Sequence, residues 1–342
     1  MPARPTRPLA ALAVAVLLVS HACGVFFSPR AFGATVANMY DATVPLTERS
    51  ERGQALAFQD AMRQVLVRVT GRRDAGGDPA LAPIVNDARR YVQQFRVVGN
   101  QFVAGFDGAR VERAVTDAGR PLWGHERPAT LVLLVSGDGA GRTLLGPGSP
   151  GELAQAVVRG GQLRGVPLVW PDAARPVNLA DVTGGSPERL AGAASQYGAD
   201  AVLAGVASGT GANAQVRWTL VQGSESTQWR GSGEEGAQGA ADWFARVFTA
   251  EPGAVAGALV AITVSGVADL RAYAAVTEYL QSLTLVSALQ VDEVAGDNVV
   301  YRARVQGGTE RLARAIGLGG RLEPLSNGLA GETGALQYRY RP

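Results

Sequence analysis

Few residues in this 342-residue chain are equipped for chemistry. It contains no lysine, so all 32 basic residues are arginine, which removes a Schiff-base lysine and the lysine of a phosphate-binding loop. Cys23 is the single cysteine, and of the two histidines His21 lies beside it, which leaves His125 alone in the body of the chain. Without Cys23 and His21 there can be no Cys/His zinc site, no Cys-His nucleophile pair and no iron–sulfur cluster, and no cofactor is expected. Carboxylate chemistry remains. Asp138, Asp172 and Asp181 fall in loops after strands or before helices, where α/β sheets often bind ligands. Two acids at suitable separation suffice to cleave a glycosidic bond, so these three are the candidate acid pair of a glycan hydrolase. Turn and cap duty is the ordinary role of Asp at such places, and the leading expectation is that no residue is catalytic. His125, flanked by Trp123, Glu126 and Arg127, has the chemistry of a general base, but with no nucleophile beside it an interdomain or surface role is expected.

Binding needs less than catalysis. Trp218 and Trp229 fall on adjacent predicted strands and can meet on one face, and with Arg217 they form the expected contact set, Trp229 first among them. Gly137-Asp-Gly-Ala-Gly141 follows a buried strand and invites a nucleotide-loop reading. Arg142 to Leu145 reads as a returning strand, however, and Pro147 and Pro150 follow, so a hairpin turn is expected. Asp200 in Tyr197-Gly-Ala-Asp-Ala201 is expected to bond backbone at a strand entrance, and Glu234-Glu235 to form a solvated turn.

The elements that must position these residues begin with Tyr197 to Gly231. Gly198 should end a helix, because glycine takes the left-handed conformation without steric cost. The apolar run Ala199 to Ala207 has the length of a strand buried on both faces, and Val216, Trp218 and Leu220 alternate with polar residues in the next. Before this meander the reading gives strand, helix, strand, helix; after it a helix anchored by Trp243, Phe244, Val247 and Phe248. Ser149 is read as a helix cap, and Ser186-Pro187 as the start of the helix through Tyr197.

The expected class is α+β or mixed α/β in three small domains. Residues 1–33 read as a signal peptide, 35–123 as an α+β domain, 128–250 as a mixed sheet with helices, 255–325 as a ferredoxin-like βαββαβ domain and 326–342 as a tail. In the first domain, Ala55 to Val69 has helical periodicity, Ile84, Ala88, Tyr91, Val92 and Phe95 suggest a second helix, Gly99-Asn100 a hairpin, and Asp107 a helix cap.

Arg4 and Arg7 ahead of Leu9 to Val19 form the charged and apolar parts of an export signal, with cleavage expected after Ala31-Phe-Gly33. Lipid attachment at Cys23 and retention of the leader as an anchor are the alternatives, and membrane contact is expected only through that segment. Removing it takes three arginines and no acid, leaving a nearly neutral chain ill-suited to nucleic acid.

Val67-Arg-Val-Thr-Gly71, Tyr91-Val92, Phe106-Asp107, Pro121-Leu-Trp-Gly124 with Arg127-Pro128, Tyr197 to Ala201 and Arg217-Trp218 resemble the proteobacterial domain-of-unknown-function family 2066 over Val36 to about Phe248. The resemblance implies an exported envelope protein and supplies no catalytic residue. The second domain also resembles, in fold alone, the amino-terminal domain of TolB and the CsgG-like and LpoB-like envelope proteins, which implies assembly or partner binding. The expectation is therefore a periplasmic or envelope scaffold with an envelope protein partner. A glycan hydrolase and a small-ligand regulatory module with a pocket lined by Trp and Arg are the alternatives.

Overall fold

The computed structural model describes residues 34–35, 38–137, 141–172, 175–209, 214–249, 257–325 and 335–341; His21, Cys23 and Asp138 lie outside these residues. The class is mixed α+β, as the sequence predicts.

The first domain contains β1 (Ala34–Thr35), β2 (Asp41–Pro45), α1 (Glu51–Thr70), α2 (Ala82–Asn86), β3 (Val92–Val98), β4 (Gln101–Phe106) and α3 (Gly108–Asp117). Ser50 caps α1 by accepting from Gly53 N at 3.1 Å, and α1 buries Phe58, Met62, Val65 and Leu66 in the core beside the antiparallel sheet β2-β4-β3. Asp107 caps α3 as expected, accepting from Arg110 N. The expected second helix is corrected: α2 ends at Asn86 and residues from Val92 onward are strand. The β-branched and aromatic residues of Val92–Val98 pair with β4 across the Gly99-Asn100 turn, and that pairing overrides the helical spacing of Phe95, which stacks on Phe102.

The second domain runs through β5 (Glu126–Arg127), β6 (Thr130–Ser136), β7 (Thr143–Leu145), α4 (Glu152–Arg164), β8 (Leu168–Val169), α5 (Leu179–Gly184), α6 (Pro187–Tyr197), β9 (Ala201–Ser208), β10 (Gln215–Gln222), β11 (Glu225–Gly231) and α7 (Gly233–Phe248). The sheet order is β11-β10-β9-β6-β7, with β8 also on β6. Strand β6 lies parallel to β9, and β9, β10 and β11 form the predicted antiparallel meander. Helices α4 and α7 cover one face and α5 and α6 the other, which is why residues 131–135 of β6 and 201–207 of β9 are apolar. Gly198 caps α6 with φ 63°, and β7 pairs antiparallel with β6; residues 138–140 of the expected Gly137–Gly141 turn lie outside the described residues.

Two local expectations are corrected here. The residue before α4 is Gly151, and Ser149 accepts from Gly146 N instead of capping the helix, whereas Ser186-Pro187 starts α6 as expected, with the Ser186 hydroxyl donating to Glu188. Glu234 and Glu235 lie in the first turn of α7, capped by Ser232. Glycines here do not break the helix, because Gly236 and Gly239 let it press directly onto Trp218 and Trp229.

The third domain contains β12 (Ala258–Ser265), α8 (Leu270–Ser282), β13 (Val286–Ala295), β14 (Asn298–Val305), α9 (Thr309–Leu318), β15 (Leu322–Pro324) and β16 (Leu336–Tyr340). Its sheet order is β13-β14-β12-β16-β15. The first four positions follow the ferredoxin-like order, but the strand beside β12 is β16, running parallel to it, while β15 pairs antiparallel on the far side of β16. Leu336 and Tyr338 are buried in the core, so the segment read from sequence as a tail contributes a central strand.

Candidate binding groove at the domain junction

The linker Trp123–Arg127 holds the first two domains together. Arg127 has no solvent exposure and, among the described residues, no carboxylate partner. Its Nη1 donates to the carbonyls of Arg164 (2.7 Å) and Gly165 (3.1 Å), its Nη2 to those of Arg68 (2.6 Å) and Trp123 (3.1 Å), and its Nε to that of Gly124 (3.1 Å). Arg68 and Arg164 belong to the last turns of α1 and α4, where carbonyls are unpaired and the helix dipole is negative. One guanidinium thus caps two helices from two domains. Burial, then the neighbouring Arg68 and Arg164, push its pKa down, and the ring of carbonyls offsets that cost. Arg164 donates to the Gly71 carbonyl at 2.8 Å and pairs with Asp242 at 2.7 Å; Arg68, lowered to about 10 by burial, donates to the carbonyls of Asn38 and Asp41.

His125 lies on the rim of this junction. The Tyr40 hydroxyl donates to Glu112 Oε1 at 2.6 Å, and His125 Nε2 stands 3.0 Å from the same oxygen. Burial works upward on Glu112, but hydrogen bonds from His125 and Tyr40 outweigh it and hold its carboxyl below the usual range. Burial, and then Glu112, raise the Tyr40 phenol. The cluster ties α3 to the linker.

Beside the junction lies a groove of about 840 Å³ whose walls come from all three domains: Arg72, Arg73 and Asp74 after α1, Arg120 after α3, Asp242 and Arg246 on α7, and Arg311 on α9. Most of these charges are matched. Arg72 pairs with Asp74 (2.7 Å) and Asp78 (2.8 Å), Arg120 with Asp78 (2.6 Å), and Arg73 with Glu235 (2.9 Å) and Asp242 (2.7 Å). Hydrogen bonds from Arg120 and from the backbone of Ala80 hold Asp78 well below the carboxylate range. Among the described residues, two of the cations have no carboxylate partner. Arg311 donates only to the Thr249 carbonyl at 3.3 Å, and exposed Arg246 has no hydrogen-bond or ion-pair partner among the described residues. An anionic group entering the groove would meet both.

The residues singled out from sequence sit elsewhere. Trp218 and Trp229 are directly opposed across β10 and β11, as expected. Trp218, however, is fully buried with its Nε1 donating to the Ser232 carbonyl, so it is a packing residue and offers no contact surface. Trp229 is half-buried, its Nε1 donates to the Glu235 carbonyl, and Arg217 on the opposite face donates to the Thr183 carbonyl. Asp172 pairs with Arg175 at 2.6 Å; Asp181, on the short helix α5 rather than in a loop, pairs with Arg189 at 2.7 Å. Each acid is held by its own arginine, and Asp138 lies outside the described residues. Asp200 does bond backbone at the entrance to β9: its carboxylate accepts from Ala129 N at 2.8 Å, and burial pushes its pKa up to about 7. Among the described residues no cluster of three or more His, Cys, Asp or Glu is placed to hold a metal, and no helix is long and apolar enough to cross a membrane.

Sequence reasoning missed the groove because its arginines come from four separated stretches. The one local signal was Arg72-Arg73, placed directly after the helix stop Thr70-Gly71. Comparison with known proteins adds one finding: residues 33–124 match the family model described as Domain of unknown function (DUF8605). No curated protein and no solved structure matches the chain. The first domain of this chain is thus an uncharacterised domain, and the match prescribes no chemistry for the groove it helps to build.

Proposed function

We propose that this is an exported cell-envelope protein acting as a non-catalytic scaffold, and that an envelope partner presents an acidic segment to the groove between its domains. The observation that carries the reading is Arg246 and Arg311, two arginines without carboxylate partners among the described residues, on one groove walled by three domains. Matched arginines around them fix the walls and leave these two for a ligand, and exposed cations of this kind steer an acidic partner. The charged and apolar pattern of residues 1–33 supports export. The resemblance to family 2066 and, in the second domain, to TolB and CsgG-like envelope domains supports assembly over turnover by analogy of fold.

The test is photo-crosslinking from a probe placed at Gly119, on the groove wall, in intact cells, with wild type compared with the double variant Arg246→Ser/Arg311→Ser and with cell fractions assayed alongside. A single envelope adduct that the double variant loses, and that rising salt weakens, is the expected result. An adduct retained in full by the variant, or a protein confined to the cytoplasmic fraction, overturns the proposal.

A further inference from the structure

A second groove, separate from the arginine groove and independent of the role proposed for it, opens between β2 and the α4–β8 segment, with a volume of about 760 Å³. Its lining is different in kind. Trp170, half-buried against the second-domain core, shares it with the carboxamides of Asn38, Gln64 and Gln162 and with Pro147 and Pro167. None of those three carboxamides, nor the Trp170 indole N–H, is engaged by a hydrogen bond from any described residue. Four polar side chains with free hydrogen-bonding capacity therefore converge on one concavity that also carries an aromatic ring.

From this geometry we infer a binding site for a neutral saccharide chain. A pyranose presents an apolar C–H face, which suits an indole, and a rim of hydroxyls that both donate and accept. Carboxamides offer both functions in one planar group, so each can meet two vicinal hydroxyls at once. The volume falls within the range of about 300–1,000 Å³ that holds small ligands.

Competing occupants fit less well. The arginines on the groove are already committed, Arg68 to the carbonyls of Asn38 and Asp41 and Arg159 to Glu152 at 3.2 Å, and the Asp41 carboxylate on the wall repels an anion. A peptide adding as a strand to the free edge of β2 would need the Asp41 carbonyl, which Arg68 holds at 2.7 Å. Asp41 is the one carboxylate among the described lining residues, so the paired acids of glycoside hydrolysis are not assembled and the site binds without cleaving.

The test is calorimetric titration of the whole chain with two neutral probes, an N-acetylglucosamine trimer and a maltotriose, in low and high salt. Saturable binding of at least one, insensitive to salt, weakened about tenfold or more by Trp170→Ala and by Gln162→Ala and largely kept by Trp170→Phe, is the expected result. Circular dichroism of each variant establishes that it folds. Failure of both trisaccharides to bind at millimolar concentration, unchanged binding in folded Trp170→Ala, or binding of an extended peptide at this groove in their place overturns the inference.

Discussion

The guanidinium of Arg127 lies 3.7 Å over the indole ring of Trp123, four residues earlier in the linker. The stack fixes the plane of the guanidinium, and that plane lets its donors reach carbonyls at the ends of both α1 and α4. Lysine has the charge without the planar fork, and its three donors cannot span both helix ends. Arg127→Lys is therefore expected to cost about 3–5 kcal/mol, as for a buried charge whose partners are disrupted. In urea the first and second domains are expected to unfold in one transition in the wild type and in two in the variant. A single transition at the wild-type midpoint would show that the linker arginine does not couple them.

Trp218 is held between two glycines, Gly205 opposite it on β9 and Gly236 on α7, and a Cβ at either position would collide with the ring. Ordinarily Gly→Ala inside a helix stabilises by about 0.4–1 kcal/mol. The sign should reverse at Gly236, where alanine forces the indole or the helix to move and costs about 1–3 kcal/mol. Gly192 on α6 faces open space, so Gly192→Ala should follow the ordinary sign. Thermal unfolding of the two variants side by side checks the contrast.

Much of this architecture was legible from the chain alone, and the failures are instructive. The meander, the Gly198 helix stop, the Asp107 cap and the backbone role of Asp200 follow from local rules of periodicity and capping, and the structure contains each. The start of α7 was missed because Gly236 and Gly239 read locally as loop residues. Their reason for being glycine is a close approach to Trp218 and Trp229, which no single window displays. The groove arginines escaped for the same reason, since Arg72, Arg120, Arg246 and Arg311 become neighbours only after the domains have packed.

Asp200 gives a pH test. Its folded pKa, about 7, lies above the ordinary carboxyl value, so the native state holds a proton that the unfolded chain releases. Its contribution to stability is fully present below the unfolded pKa, is lost as pH rises through the window up to the folded value, and stays lost above it. Asp200→Asn cannot ionise, so between roughly pH 4 and pH 7 its stability should fall less steeply with rising pH than that of the wild type. Parallel stability–pH curves for the two proteins would remove the assignment.

The position of β16 sets another expectation. Leu336 and Tyr338 are buried against the core of the third domain, so Leu336→Ala should cost about 2–5 kcal/mol. Hydrogen exchange should show the loss in β12 and β15, the strands that flank β16, with the meander of the second domain left protected. Protection lost evenly over the whole chain would mean that the third domain does not unfold as its own unit.

The same insertion bears on how the protein is made. During synthesis the first two domains have all their described strands long before β16 emerges, whereas β12 must wait for a neighbour encoded near the far end of the chain. Until then its edge is an open template. A chain synthesised only as far as β15 would leave that seam exposed, so of the three domains the third is the one whose sheet is completed last.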